Sequence, residues 1–306
     1  MARAVLAARV SLVLVVVSGC ASLDGLSEGE KGSPSRAPKS SSTALLGCDP
    51  KGAFTTAVPL ASGGTAFGAR WDAKKTTVVF NTGRGQNVEL RIGSNFDDAT
   101  GAAFGPLAPP DGGALTPLLV FPSISNDGLF LYYQAYSPAP DAMGGGDSVV
   151  YRARRTTTSE PFHDYEPVVH SSSNDFGPYL VASANALYWT HADPSSATMR
   201  VMRFPVGAAE DPKSVFEASS SVIANAVVSS DEKSLYYADE RGGTMDIYVA
   251  TRASLSDEFT NGKPFDSLNS AAHAEIPSWI SDDQCELVYE KRDFDSDTHS
   301  LWSARR

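Results

Sequence analysis

The chain has 306 residues, a formal net charge of −11 and 20% charged residues. That acidic balance argues against binding nucleic acid or an anionic lipid surface through a general positive field. With 42% hydrophobic residues, the length suffices for one sizeable domain or two small ones.

The first element is a leader. Arg3 and Arg9 give a positive start, and "VSLVLVVV" (Val10–Val17) is an apolar core too short to span a bilayer. Residues 1–19 therefore read as a secretory signal, not a membrane helix. The stretch "VSGC" (Val17–Cys20) directly after that core resembles the lipobox of bacterial lipoproteins. The resemblance implies lipidation of the Cys20 sulfur, cleavage before Cys20 and acylation of the new amino group. Each buried acyl CH₂ contributes about 0.8 kcal/mol, so three chains would anchor the protein stably where one would not. A plain secreted protein in which Cys20 merely follows the cleavage site is the alternative. Ala21 stands where inner-membrane lipoproteins of this kind carry aspartate, so the resemblance implies the outer membrane. Loss of the leader removes two arginines and no acids, which takes the net charge from −11 to −13.

Residues 20–45 are rich in Ser, Gly, Pro and charge, and they bury too little apolar surface to offset their ordering entropy. A flexible tether is expected, holding the body on the order of 25–30 Å from the lipid. The folded domain is then 46–306.

Within that domain one unit recurs. "IYVATR" (Ile247–Arg252) is echoed by "VYRARR" (Val150–Arg155) and "LWSARR" (Leu301–Arg306), with weaker copies "VMRFPV" (Val201–Val206) and "LRIGSN" (Leu90–Asn95). Upstream of each lies a second apolar run: Val78–Phe80, Leu131–Tyr133, Leu187–Trp189, Leu235–Tyr237 and Leu287–Tyr289. Before these come "PSISNDG", "AVVSSDE" and "PSWISDD". Copies about 50 residues apart, built from short aromatic and β-branched runs between Gly, Asp, Asn and Ser turns, predict a repeat of strands. Both faces of "IYVA" are apolar, as a sheet stacked between two neighbours requires. The expected fold is all-β: a five-bladed β-propeller of four-stranded antiparallel blades. A two-sheet sandwich would give no reason for a five-fold repeat.

The pattern "P-x-x-S-x-D-G…LYY…DER-GG-x-x-D-I-Y-x-A-x-R" resembles the TolB-type, WD-like β-propeller repeat of bacterial envelope proteins. The match is good in the second, fourth and fifth copies, moderate in the first and poor in the third. No α/β domain precedes the repeats and the copies number five, so only the fold is implied, not TolB's partners.

The fifth copy ends at Arg306 without a fourth strand, whereas "AFTTAVPLAS" (Ala53–Ser62) has the features of one, including a leading Phe like those of Pro161–Val169 and Glu258–Asn269. The N-terminal segment should therefore supply the outer strand of the last blade. Strand alternation then places Cys48 and Cys285 on one rim of one blade, and a Cys48–Cys285 disulfide is inferred in an oxidising compartment. Two thiols that share a rim without meeting are the alternative.

The same alternation gathers the second-to-third-strand turns and blade links on the opposite rim. That rim collects Asp141, Asp147, His170, Asp175, His191, Asp193, Asp239, Glu240, His273, Asp293, Asp295, Asp297 and His299 as a candidate binding surface. "DFDSD" (Asp293–Asp297) suggests calcium, but Thr298 and Ala304 occupy the places where an EF-hand loop needs Gly and Glu. A solvated turn is expected there with a looser calcium site as the alternative, and no other cofactor is expected. Nucleophile-elbow, zinc-protease, phosphate-loop and Cys-x-x-Cys motifs are missing. The expected function is a non-catalytic envelope scaffold binding a protein or glycan. The alternative is a propeller hydrolase using carboxylates brought together in the channel, which would leave no local signature.

Overall fold

The computed structural model describes residues 48–306 apart from 51, 61–64, 85–86, 98, 100–117, 137–147, 169–173, 194–195, 197, 219–221, 242, 261 and 294–297. The leader, Cys20 and the tether lie outside the described residues. Short runs of Val, Tyr, Phe and Leu between turn residues fold as strands, and the described residues contain no helix.

A first strand, β1 (Thr56–Pro59), stands apart from the sheet that follows it in sequence. Blade 1 is β2 (Ala66–Trp71), β3 (Val78–Arg84) and β4 (Asn87–Gly93), and blade 2 is β5 (Leu118–Ile124), β6 (Phe130–Tyr136), β7 (Ser148–Arg154) and β8 (His163–Pro167). Blade 3 is β9 (Asn174–Val181), β10 (Ala186–Ala192), β11 (Met199–Pro205) and β12 (Lys213–Ala218). Blade 4 is β13 (Ile223–Val228), β14 (Ser234–Asp239), β15 (Asp246–Thr251) and β16 (Lys263–Pro264). Blade 5 is β17 (Ala274–Ile280), β18 (Glu286–Asp293), β19 (Thr298–Arg305) and β1. The sheets are antiparallel, and the inner strands β2, β5, β9, β13 and β17 touch in that order, with β17 back against β2. This is a five-bladed β-propeller.

The two chain ends meet as expected. Thr56 pairs with Arg305 and Pro59 with Trp302. The bonds from Thr55 N to Arg305 O (2.9 Å) and from Leu60 N to Leu301 O (2.8 Å) extend the ladder. Cys48 and Cys285 form a disulfide, their Cα atoms 6.0 Å apart.

Five-fold regularity is clearest in the turns between first and second strands. Each closes an i to i+3 bond and places one residue in the left-handed region: Lys75, Gly128, Asn185, Glu232 and Gln284 have φ between 47° and 70°. In three turns a serine hydroxyl caps the following aspartate, as Ser125 does Asp127, Ser229 does Asp231 and Ser281 does Asp283. The repeat's closing arginine serves the same turn. Arg155 Nε donates to Gly128 O and Arg252 Nε to Glu232 O, both at 2.7 Å. Each guanidinium also covers the Phe that leads into the outer strand: Arg155 on Phe162, Arg252 on Phe259 and Arg306 on Phe54, at 4.2 to 4.4 Å.

The third copy, poorest in sequence, still builds four regular strands. Val206 stands in place of the arginine, and the donor changes sides: Asn185 Nδ2 donates to Val206 O at 2.9 Å. Asparagine tolerates the left-handed turn and carries the hydrogen bond itself. The fourth strand of blade 4 is shorter than Glu258–Asn269 suggested. Only Lys263–Pro264 is regular strand there; Phe265 N still donates to Ile247 O at 2.8 Å before the chain turns through Phe265–Leu268.

Since the disulfide spans 237 residues, Cys48→Ser/Cys285→Ser should lose about 5 kcal/mol in guanidinium unfolding. Removing residues 48–60 as well should lower the unfolding midpoint further, because the last blade then loses its outer strand.

Candidate functional site

Of the rim residues named from the sequence, Asp141, Asp147, His170, Asp295 and Asp297 lie outside the described residues. The others do not converge. Asp175, buried on β9, accepts from Trp189 Nε1 at 3.0 Å and pairs with His191 Nδ1 at 2.9 Å. Its carbonyl accepts from Ser148 of blade 2, so this couple also pins two blades together. Asp239, fully buried at the end of β14, accepts from Arg241 N and from Arg241 Nε at 2.7 Å. Arg241 in turn covers Tyr248 and reaches the Tyr237 hydroxyl. Here "DERGG" between the aromatic runs folds an acid and an arginine onto one another across a tight turn.

His299 is buried and pairs with Glu290 on the neighbouring strand at 2.7 Å, with its ring 5.1 Å from Phe67 of blade 1. His273 is half-buried, 3.4 Å from Ser270 Oγ. Glu240 is half-buried and holds its turn through the main chain. Asp293 ends β18 opposite Thr298, and Asp193 accepts from Ser196 N through its carbonyl. The couples belong to blades 3, 4 and 5 separately. Among the described residues no group of three or more His, Cys, Asp or Glu is set to hold a metal ion.

Two rim acids escaped the sequence reading. Burial pushes the Glu275 carboxyl up, partly offset by Ser270 N and Oγ, which bind it at 3.1 and 2.6 Å. Asp246 is also raised, by burial first and then by the charges of Asp239 and Asp266. Glu275 is fully buried and ties the link between blades 4 and 5 to the inner strand. Nothing in "HAEIPSW" distinguishes it from a surface acid before folding.

A concavity lies on the other rim, beside the disulfide, where the ring's two ends meet. It is a cleft of about 690 Å³ between blades 5 and 1, lined by Cys48, Cys285, Lys75, Trp279, Asp282, Asp283, Glu286, Arg305 and Arg306. Lys75, held by its turn's left-handed backbone, reaches across the joint to Glu286 Oε2 at 2.6 Å and lies over the Trp71 and Trp279 rings. Ser303 Oγ donates to the other Glu286 oxygen at 2.6 Å. Burial alone would raise the Glu286 carboxyl, but the Lys75 and Ser303 bonds outweigh it and leave it below the ordinary value. Asp282 moves the opposite way, raised by burial and then by Asp283. A turn residue of one blade clasping the blade before it occurs again at the blade 3–4 joint. There Glu232 accepts from Arg203 Nε at 2.6 Å and from the Tyr188 hydroxyl.

No protein-family model matches the sequence, and no curated protein matches it. Similar solved structures exist. An exo-β-1,3-galactanase from Phanerochaete chrysosporium, seen with β-1,3-galactotriose, is 10% identical with a TM-score of 0.55, covering 81% of this chain and 64% of that one. Kuenenia stuttgartiensis hydrazine synthase is 9% identical at 0.52, covering 76% and 38%. TolB from Acinetobacter baumannii is 14% identical at 0.49, covering 79% and 55%. This chain thus spans about half the length of that TolB chain. The galactanase and synthase likenesses concern the propeller fold alone.

The Glu286 shift has a definite sign. A carboxyl lowered in the folded state stabilises the protein above the unfolded value, near 4.5, and that contribution is lost as pH falls through the folded value. Glu286→Gln should therefore be less stable than wild type at pH 7 and should lose less stability between pH 5 and 3. Urea unfolding across that range checks it.

Proposed function

We propose that the protein is a non-catalytic lipoprotein of the cell envelope, anchored through Cys20 and tethered by residues 20–45, whose propeller binds a protein or glycan partner. The leader, the "VSGC" stretch and the acidic, turn-rich composition support the address, with the outer membrane as the favoured site. The observation that carries the binding reading is how the charges are used. Among the described rim residues, Asp175 with His191, Asp239 with Arg241 and His299 with Glu290 are engaged in couples within single blades. The joint cleft is a concave surface lined by both charge signs around Trp279. Mixed charge with an aromatic floor suits recognition of a polar chain better than proton transfer.

The cleft is the better contact surface, and the acidic loop rim is its competitor. A hydrolase remains the second reading because Asp282 and Glu286 line the same cleft with carboxyls shifted in opposite directions, the relation expected of an acid and its partner. Against it, both Glu286 oxygens are already engaged.

Photocrosslinking groups placed at Ala73 in the cleft and at Glu240 on the rim separate these readings in whole cells. The binding reading expects a discrete partner captured from position 73. Capture from position 240 alone would move the contact to the rim. Capture from neither, with turnover of a glycan panel that Asp282→Asn abolishes, would replace binding with hydrolysis.

A further inference from the structure

Arg70 is the side chain whose chemistry the blade architecture does not account for. It is 1% exposed, yet it carries a guanidinium. Its Nε donates to Ser278 O of β17 at 3.2 Å and its Nη1 to Phe121 O of β5 at 3.3 Å. The guanidinium carbon lies 5.3 Å from the centre of the Tyr179 ring on β9. Counting its own β2, four of the five inner strands meet at this one group, which places it at the hub of the ring.

Arg155, also buried, is held by the Gly128 carbonyl and the Phe162 ring, but its turn accounts for it. Arg203 and Arg252 share Glu232, whereas no carboxylate among the described residues pairs with Arg70, and its Nη2 has no hydrogen-bond partner. Two carbonyl dipoles and a ring face stabilise a cation only in part, and an uncompensated buried charge is strongly unfavourable. Burial lowers the guanidinium to about 10, with only Tyr179 pulling it back, so it stays charged at neutral pH.

We propose that the hub of the propeller binds a small monovalent anion of the halide class, with Arg70 Nη2 as its donor. Arg70 Nη2 is itself buried, enclosed where the four inner strands converge. A donor so enclosed suits a single small ion rather than phosphate or a metabolite. Bound there, the anion would neutralise the one charge on which β2, β5, β9 and β17 converge and so lock the blades' inner edges.

The probe is bromide in crystals of the whole folded protein, together with thermal and urea unfolding in chloride against methanesulfonate at constant ionic strength. An anomalous bromide peak within hydrogen-bonding distance of Arg70 Nη2 is expected. The folded-to-unfolded ratio should rise about elevenfold when chloride reaches ten times its dissociation constant. Arg70→Met should abolish that chloride response while leaving the response to ionic strength. If Arg70→Met does not fold, Arg70→Lys and the wild-type bromide peak carry the test. Water alone at Nη2, or an equal chloride response in wild type and variant, would overturn the proposal.

Discussion

Each blade of this protein has two apolar faces, and each face is covered only if a neighbouring blade lies against it. Five such sheets in an open row would leave the first and last faces bare to water, at a cost proportional to the apolar area exposed. The main-chain ladder between β1 and β19 removes that exposure by joining Thr56 to Arg305, so blade 5 is built from both ends of the domain. β17 then packs on β2 and the ring has no end. The disulfide acts on the same joint from the unfolded side, by restricting a loop of 237 residues.

Closure sets where charge can be buried. At the blade 3–4 joint, Glu232 lies between Arg203 and Arg252, and at the blade 5–1 joint Lys75 meets Glu286 with the signs reversed. In both, a left-handed turn residue reaches back to the preceding blade. Desolvation offsets much of the attraction in such pairs, so their contribution lies in register between blades more than in net stability. Arg70, like Arg155, is a buried cation held by carbonyl oxygen and a ring, but it lies at the hub and leaves Nη2 unpartnered.

The same economy of charge shapes the functional reading. His191, Asp239 and His299 are placed by strand ends and turns that the repeat requires anyway, and each meets its partner within two strands. Paired this way, a polar rim is structural before it is chemical. The joint cleft differs because it arises where the repeat is interrupted. A disulfide and two separate chain segments stand in place of a loop between the third and fourth strands of blade 5, beside a turn lysine of blade 1. Loops freed from the repeat are where a propeller can acquire specificity.

The repeat, the five blades, the closing strand and the sulfur bridge were legible in the sequence, because aromatic runs, "S-x-D-G" turns and closing "A-R-R" motifs are local signals. The orphan fourth strand at Ala53–Ser62 was visible for the same reason, as a unit missing at one end and present at the other. The complete third blade was less legible, since Asn185 and Val206 exchange the donor and acceptor roles that the motif encodes. Only the tertiary structure decided that Asp175, Asp239 and Glu290 are spent on partners. It also decided that Glu275 is buried, that Lys75 clasps Glu286 and that Arg70 occupies the hub. Those outcomes depend on which side chains meet across blades far apart in sequence, and residue spacing within one repeat carries no record of that meeting.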